Sequence, residues 1–414
     1  MQYMQRCCSR RTLLRFVGVG FAASAAFVFV VSTSKLWPNH VGVDVRRPDC
    51  EKIWRDDSLE ISKWNGRHIS SVDDGELLAR VQDDCESYKR EWYSRNAGSD
   101  PSASDFPLAY SVLVHKDAVH LTNLLSMLYR PVDVYCVHVD RSAKGLGRTV
   151  RSVLRCLGAS NVFVSDHSEA VVWGGFSVLN ATLSCLRDLA ASRVHWRYFL
   201  NLSAQDFPLK RTAEIVRQLR KLNGASIVEL LPETLQRRYK YHHEVATNQL
   251  GHPVSVMPTN VLKEPPPHNL TIYKGNLAAA ISRQLAEFLL SSDSKVVDLL
   301  KWLEDTDVSD EHFWSTVVGN WRAFVRESPT EEEAARFARV GNEEYVVRYS
   351  VWQSEAGAPC RGKFVRSVCV FGAGDLRALT SVRHWFANKL YIGYQPAAYE
   401  CLLQWRAQSN QQTL

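Results

Sequence analysis

Glu311 lies in the segment SDEHFW, just after Ser309 and Asp310. A serine followed by two carboxylates suits the first turn of a helix, because oxygen and negative charge meet unpaired N–H groups there. Helix capping therefore accounts for this glutamate. A carboxylate at a helix start that points into a cleft is also placed to act as a general base. Asp305 and Asp307, in the triplet DTD, have the D-x-D spacing that can hold a divalent metal against a diphosphate. The triplet follows a helix-like stretch, and a solvated loop explains it as well, so no metal site is assigned. Arg366 sits in FVRSVCV, read as a strand, and Lys389 follows in HWFANK. A charge inside an apolar strand is costly unless paired. A structural ion pair meets that cost, and so does a bound anion. Two such cations can neutralise a leaving diphosphate, the task otherwise done by a metal.

The elements that must position these groups alternate along the chain. The runs 110–115, 133–139, 161–165, 196–202 and 226–230 read as strands. The stretches 118–128, 144–156, 176–192 and 212–222 read as helices. This alternation predicts βαβ units and a largely parallel α/β sheet. Ligands of such sheets bind beyond the carboxyl ends of the strands, and His115, Asp140 and Asp206 fall near those ends. There is no G-x-G-x-x-G and no Walker A sequence, so a dinucleotide or P-loop reading lacks its phosphate cradle. Further on, 281–304 reads as two helices, 309–318 as the start of another, and 365–372 as a strand. The domain is expected at 105–414, after a polar stem at 35–104 that Cys50 and Cys85 are expected to staple in part onto the domain.

The amino terminus sets the compartment. Four arginines among residues 6–15 precede an uncharged stretch at 16–34. Its length of about 18 residues gives ~27 Å of helix, enough to span a bilayer. The basic flank of residues 1–15 is expected in the cytosol and the carboxyl terminus in a lumen. The apolar stretch runs on past the small residues AASAA, which favours a retained anchor over a cleaved signal. Eight of the ten cysteines follow this segment. An even number in a luminal setting predicts four disulfides, with 105 pairings open. No CxxC pair occurs to suggest zinc. Of the Asn-x-Ser/Thr sequons, Asn269 and Asn180 are glycosylation candidates, while Asn201 ends an apolar strand and is expected to be buried. The net charge of +6 comes without a basic run interleaved with aromatics, so nucleic acid is not an expected partner. Twelve tryptophans suit either core packing or sugar stacking.

Taken together, FPLAYSVLVHK (106–116), YCVHVDRSA (135–143), LNLSAQDFPLK (200–210), SDEHFW (309–314), VRSVCVFGAGDL (365–376) and HWFANK (384–389) resemble the core 2/I-branching β-1,6-N-acetylglucosaminyltransferases. Their wider family includes peptide O-xylosyltransferases. The resemblance runs in unbroken order over about residues 45–405. It implies a GT-A-type glycosyltransferase fold with a Rossmann-like mixed sheet, a Golgi membrane protein of type II topology, and inverting transfer without a metal or cofactor. The donor would be UDP-N-acetylglucosamine and the acceptor a glycan. Glu311 falls on the family's general base, and Arg366 and Lys389 on its diphosphate cations. Val114, His115 and Asp140 fall on its uridine side. Glu229, Arg238 and Trp352 match acceptor-binding positions. The implied disulfides are Cys50–Cys401, Cys85–Cys156, Cys136–Cys185 and Cys360–Cys369.

This chain also departs from the family pattern. VVWGGF (171–176) puts Trp173 where core 2 enzymes have a tyrosine near the donor, and the WGG form is more like the xylosyltransferase branch. GNLAA (275–279) stands for G-S-A-Y-F, and WQS (352–354) for W-Q-Y. The donor-phosphate and base positions are kept while acceptor positions have drifted. Transfer of another sugar such as xylose, and glycan binding without turnover, are the competing readings.

Overall fold

The computed structural model describes residues 47–67, 73–95, 103–232, 236–324, 330, 345–354, 357 and 359–411. The expected cytosolic tail and membrane segment lie outside these residues. Within them no helix is long and apolar enough to cross a membrane.

Four short helices open the described chain: α1 (Cys50–Trp54), α2 (Ser58–Trp64), α3 (Asp74–Asp83) and α4 (Cys85–Ser94). Each starts on an aspartate, Asp49, Asp57, Asp73 or Asp84, whose carboxylate accepts a backbone N–H of the first turn. Leu77, Val81, Tyr88 and Trp92 pack in the same core as the central sheet. The part of the expected stem that carries these residues thus buries an apolar face against the domain.

The sheet is built from β1 (Leu108–Val114), β2 (Val134–Val139), β3 (Val162–Val164) and β4 (Tyr198–Ser203), all parallel. Ala280–Ser282 adds to β4 as an antiparallel edge, giving the order edge-β4-β1-β2-β3. The connecting helices are α5 (Ala118–Leu128), α6 (Leu146–Leu157) and α7 (Phe176–Ala190), and α8 (Thr212–Lys221) follows β4. Side chains alternate between the faces. Tyr110, Val112 and Val114 meet residues of α3 to α6 and α8. Ala109 and Phe199 meet α7 and three later helices, α9 (Arg283–Leu290), α10 (Ser294–Leu303) and α11 (Phe313–Gly319). All six residues of β2 are buried, as a strand covered on both faces requires. A third cluster joins α1 and α2 to the carboxyl-terminal segments. Strand order reverses between β1 and β4, so a crevice is expected beyond their carboxyl ends.

The disulfides are Cys50–Cys401, Cys85–Cys156, Cys136–Cys185 and Cys360–Cys369. They tie α1 to the last helix (Pro396–Gln411), α4 to α6, and α7 to β2, and the fourth closes a hairpin described below.

Three element readings change. The fifth strand at 226–230 is not formed: Ile227 makes a single bridge to Ala280, and Ser226 Oγ accepts the Ser282 N–H in place of a ladder. The run 365–372 is not one strand. Lys363–Val365 and Val368–Val370 pair antiparallel across a two-residue turn. Arg366 and Ser367 there have φ of 51° and 61°, so the arginine is at a solvated hairpin tip. Ser309 does not cap an α-helix: Ser309–Glu311 is a 3₁₀ turn, and α11 starts at Phe313.

A buried ion pair fixes the register at the amino ends of β1 and β2. Arg130 Nε donates to Asp133 Oδ2 at 2.7 Å, and Arg130 also donates to the carbonyls of Ala103 and Phe106. Asp133 Oδ1 accepts the Leu108 N–H at 2.8 Å. Removing one partner of a buried pair strands the other charge. Arg130→Leu is expected to lower stability by about 3–5 kcal/mol, measured as the urea unfolding midpoint. A loss under about 1 kcal/mol would mean that the pair does not hold the register.

Candidate active site

The segments carrying the sequence-selected residues close into one ring of contacts at the carboxyl ends of the strands. Val114, the last residue of β1, accepts the Asp140 N–H at 2.9 Å. Asp140 Oδ1 in turn accepts the N–H of Ser142 at 2.8 Å and of Val171 at 3.3 Å. The loop from Val171 carries Trp173, and Gly174, at φ 80°, accepts the Val308 N–H at 2.7 Å. Val308 leads into the turn that bears Glu311. The Trp173 ring lies 5.5 Å from the Arg366 guanidinium carbon. Beside that hairpin tip, the Gln353 N–H donates to Ser367 O and Trp352 bridges Val368.

The Glu311 side chain is 12% exposed, and its Oε2 accepts from Arg238 Nη1 at 2.8 Å and lies 4.0 Å from Lys274 Nζ. Its Oε1 makes no hydrogen bond among the described residues, which leaves one carboxylate oxygen open. Lys274 also sits 5.9 Å from the Trp352 ring, joining the carboxylate to the indole. Arg238, matched to an acceptor position, is here the direct partner of Glu311. Its neighbour Asp310 is buried. Burial, then the Glu311 charge, raises its carboxyl to about 7. Glu229 is half-buried, and its carbonyl accepts from Ser315 Oγ at 3.0 Å.

Cations gather on the other side. Lys389 is pulled down to about 8, by burial first and then by Arg366, Lys116 and Arg348. Its backbone is fixed beside the hairpin: Lys389 N–H donates to Cys369 O, and Phe371 N–H to Lys389 O. Asp206, buried after β4, accepts from Arg348 at 2.6 Å and from Asn388 Nδ2 at 2.8 Å. Reduced hydration, then the Lys116 charge, holds the His115 imidazole below its usual range.

Sequence reasoning missed Lys274, Asp310, Arg348 and Lys116. Only Lys116 and Asp310 carried a signal, as neighbours of selected residues. Asp305, from the DTD triplet, is paired with Lys263 and His242. Of the sequons, Asn269 is exposed, whereas Asn180 lies within α7 and donates to Glu169 at 2.5 Å. The drifted Ala278 and Ala279 are fully buried, so core packing absorbs that change.

The Core-2/I-Branching enzyme family model matches residues 108–380. The chain belongs to this family. A mouse (Mus musculus) beta-1,3-galactosyl-O-glycosyl-glycoprotein beta-1,6-N-acetylglucosaminyltransferase 4 is 31% identical over 364 residues, 86% of this chain and 78% of the relative. A human (Homo sapiens) N-acetyllactosaminide beta-1,6-N-acetylglucosaminyl-transferase is 37% identical over 300 residues, 72% of this chain and 71% of the relative. A solved UDP-glucose pyrophosphorylase with UDP-glucose overlaps at 11% identity and a TM-score of 0.22, over 48% of this chain and 86% of that one; at that score the likeness carries no argument. This branching-family member is a glycosyltransferase.

In this glycosyltransferase Gly275 sets the position of the Glu311 turn. Its N–H donates to Glu311 O at 2.8 Å. A Cβ there would lie 2.1 Å from Glu229 O and 2.3 Å from Ser315 Oγ. Gly275→Ala must move backbone, at a cost of about 1–3 kcal/mol. A shift of the Glu311 turn should also slow transfer on the order of tenfold or more. Thermal melting and UDP release read the two effects, and a variant matching the parent in both would remove Gly275 from this role.

Proposed function

We propose that the protein transfers N-acetylglucosamine from UDP-N-acetylglucosamine to the 6-hydroxyl of a galactose or N-acetylgalactosamine on a glycan, with inversion and without a metal. The observation that carries this reading is the Glu311 carboxylate, held on one oxygen by Arg238 and open on the other. The open oxygen takes the proton of the acceptor hydroxyl as that oxygen attacks the anomeric carbon. The bond from that carbon to the diphosphate breaks, and UDP leaves with the electron pair. Arg366 and Lys389 meet the developing negative charge, with Lys116 nearby. Val114, His115 and Asp140 hold the uridine end and Trp173 covers the diphosphate side. Trp352 stacks on an acceptor sugar, with Glu229 beside it.

The catalytic part, in a GT-A-type fold, works in the Golgi lumen behind an anchor at 16–34. Four disulfides and an exposed sequon at Asn269 suit that oxidising, glycosylating compartment. A second reading keeps the chemistry and changes the donor: Trp173, 57% exposed beside Arg366, stands where core 2 enzymes carry tyrosine, and makes xylose the first alternative sugar.

Glu311→Gln is expected to bind UDP normally and lose at least ~10²-fold in acceptor-dependent UDP release in EDTA. An unchanged rate would take Glu311 out of the mechanism, and a parent enzyme that needs manganese would return attention to Asp305 and Asp307. The lowered Lys389 titration gives a second test. Its ammonium is charged below about pH 8 and neutral above, so UDP affinity should hold up to that pH and then fall. Lys389→Arg keeps its charge and should lose the fall; an equal fall in this variant would assign it to another group.

A further inference from the structure

Helix α6 carries no acidic residue. Its sequence LGRTVRSVLRCL places Arg148, Arg151 and Arg155 at i, i+3 and i+7, on one exposed face. The row continues at both ends. Before the helix, Arg141 and Lys144 are exposed, and with Arg148 and Arg151 they line a cavity of about 320 Å³ that reaches Val164, Ser165 and Ser168. After it, Lys89 Nζ lies 3.7 Å from where a side chain on Gly158 would begin. Among the described residues none of these six cations makes an ion pair. Of the acids on α3 and α4, Asp74 accepts the Ala118 N–H, Asp84 caps α4, and Glu91 pairs with Arg80 and Arg95, while Asp83 and Glu86 are exposed. Arg148 to Arg155 alone span ~10 Å along the helix. The only carboxylate lining the cavity is Asp140, whose Oδ1 is taken by two backbone N–H groups.

We infer that this row is a binding surface for a linear sulfated polysaccharide. A row one helix face wide and six charges long matches a linear chain of sulfate groups better than it matches a single small anion. The six cations are residues other than Arg366 and Lys389, but the cavity end of the row reaches Asp140 of the proposed uridine site, so binding of the probe is read in the absence of UDP. Opposite charges brought to this surface would be screened by salt, and binding should weaken steeply as salt rises.

The test uses the detergent-solubilised full chain and a size-defined heparin oligosaccharide, with the desulfated oligosaccharide as control. The sulfated probe should bind and the desulfated one should not. Arg151→Glu/Arg155→Glu reverses two exposed charges and should weaken binding on the order of tenfold or more, with UDP binding as the check on folding. Arg377→Glu/Arg383→Glu makes the same change in net charge on another exposed surface, and should leave the affinity within about twofold. Equal weakening by both double variants would overturn the inference in favour of net charge alone. So would no weakening by the first, equal binding of the desulfated probe, or no binding of the sulfated one.

Discussion

Like charges held close together are the constraint on which this site depends. Lys389 lies near Arg366, Lys116 and Arg348, and its lowered titration registers the strain of burial among cations. Such a cluster disperses unless the backbone is fixed by other forces. Asp206 binds Arg348 and Asn388 from beneath, and reaches the end of β4 through the Ser203 N–H. The Cys360–Cys369 bond closes the hairpin that carries Arg366. Lys389 is clasped to the same hairpin by two backbone hydrogen bonds. The sheet thus supplies one anchor, a covalent bond the second, and the hairpin turn sets the direction of the arginine.

Across the ring a carboxylate is set among the cations. Glu311 is a lone carboxylate between Arg238 and Lys274, with Asp310 buried beside it. Raising Asp310 to about 7 leaves it largely neutral in mildly acidic surroundings, so Glu311 need not share its turn with a second full charge. Neighbouring carboxyls whose environments differ can in this way take different roles. The backbone bond from Gly275 to Glu311 fixes the turn from the other side.

Much of this was legible in the sequence because the central sheet obeys simple periodicity. The helix read at 118–128 is α5, residue for residue. The strands read at 133–139 and 196–202 lie within one or two residues of β2 and β4. The parts that were not legible share a cause. FVRSVCV has the composition of a strand, and only the left-handed backbone at Arg366 and Ser367 makes it a hairpin. SIVEL has a buried apolar run, but the place beside β4 goes to Ala280–Ser282 instead. The amino-terminal helices are polar on average, and their few large apolar residues are enough to join the core. Arg238 was matched by motif to the acceptor, yet its bond to Glu311 depends on a fold contact between residues 73 positions apart. Lys274 and Arg348 gave no signal of their own, since an isolated cation between apolar residues has no pattern.

The two halves of the ring are held in different ways. On the side of Arg366 and Lys389, strand ends, a disulfide and backbone hydrogen bonds set the geometry, so a changed side chain such as Trp173 leaves the frame standing. On the Glu311 side the segment after Gly275 rests on Asn201. Its amide donates to Leu277 O and its Oδ1 accepts the Ala279 N–H, while the Tyr345 hydroxyl donates to Ala278 O. Those bonds reach backbone atoms only, and they hold whatever side chains the segment carries. Half-buried side chains around Glu311 such as Trp352 and Lys274 can therefore change without moving the backbone, whereas Arg238 is fixed by its bond to Glu311 Oε2.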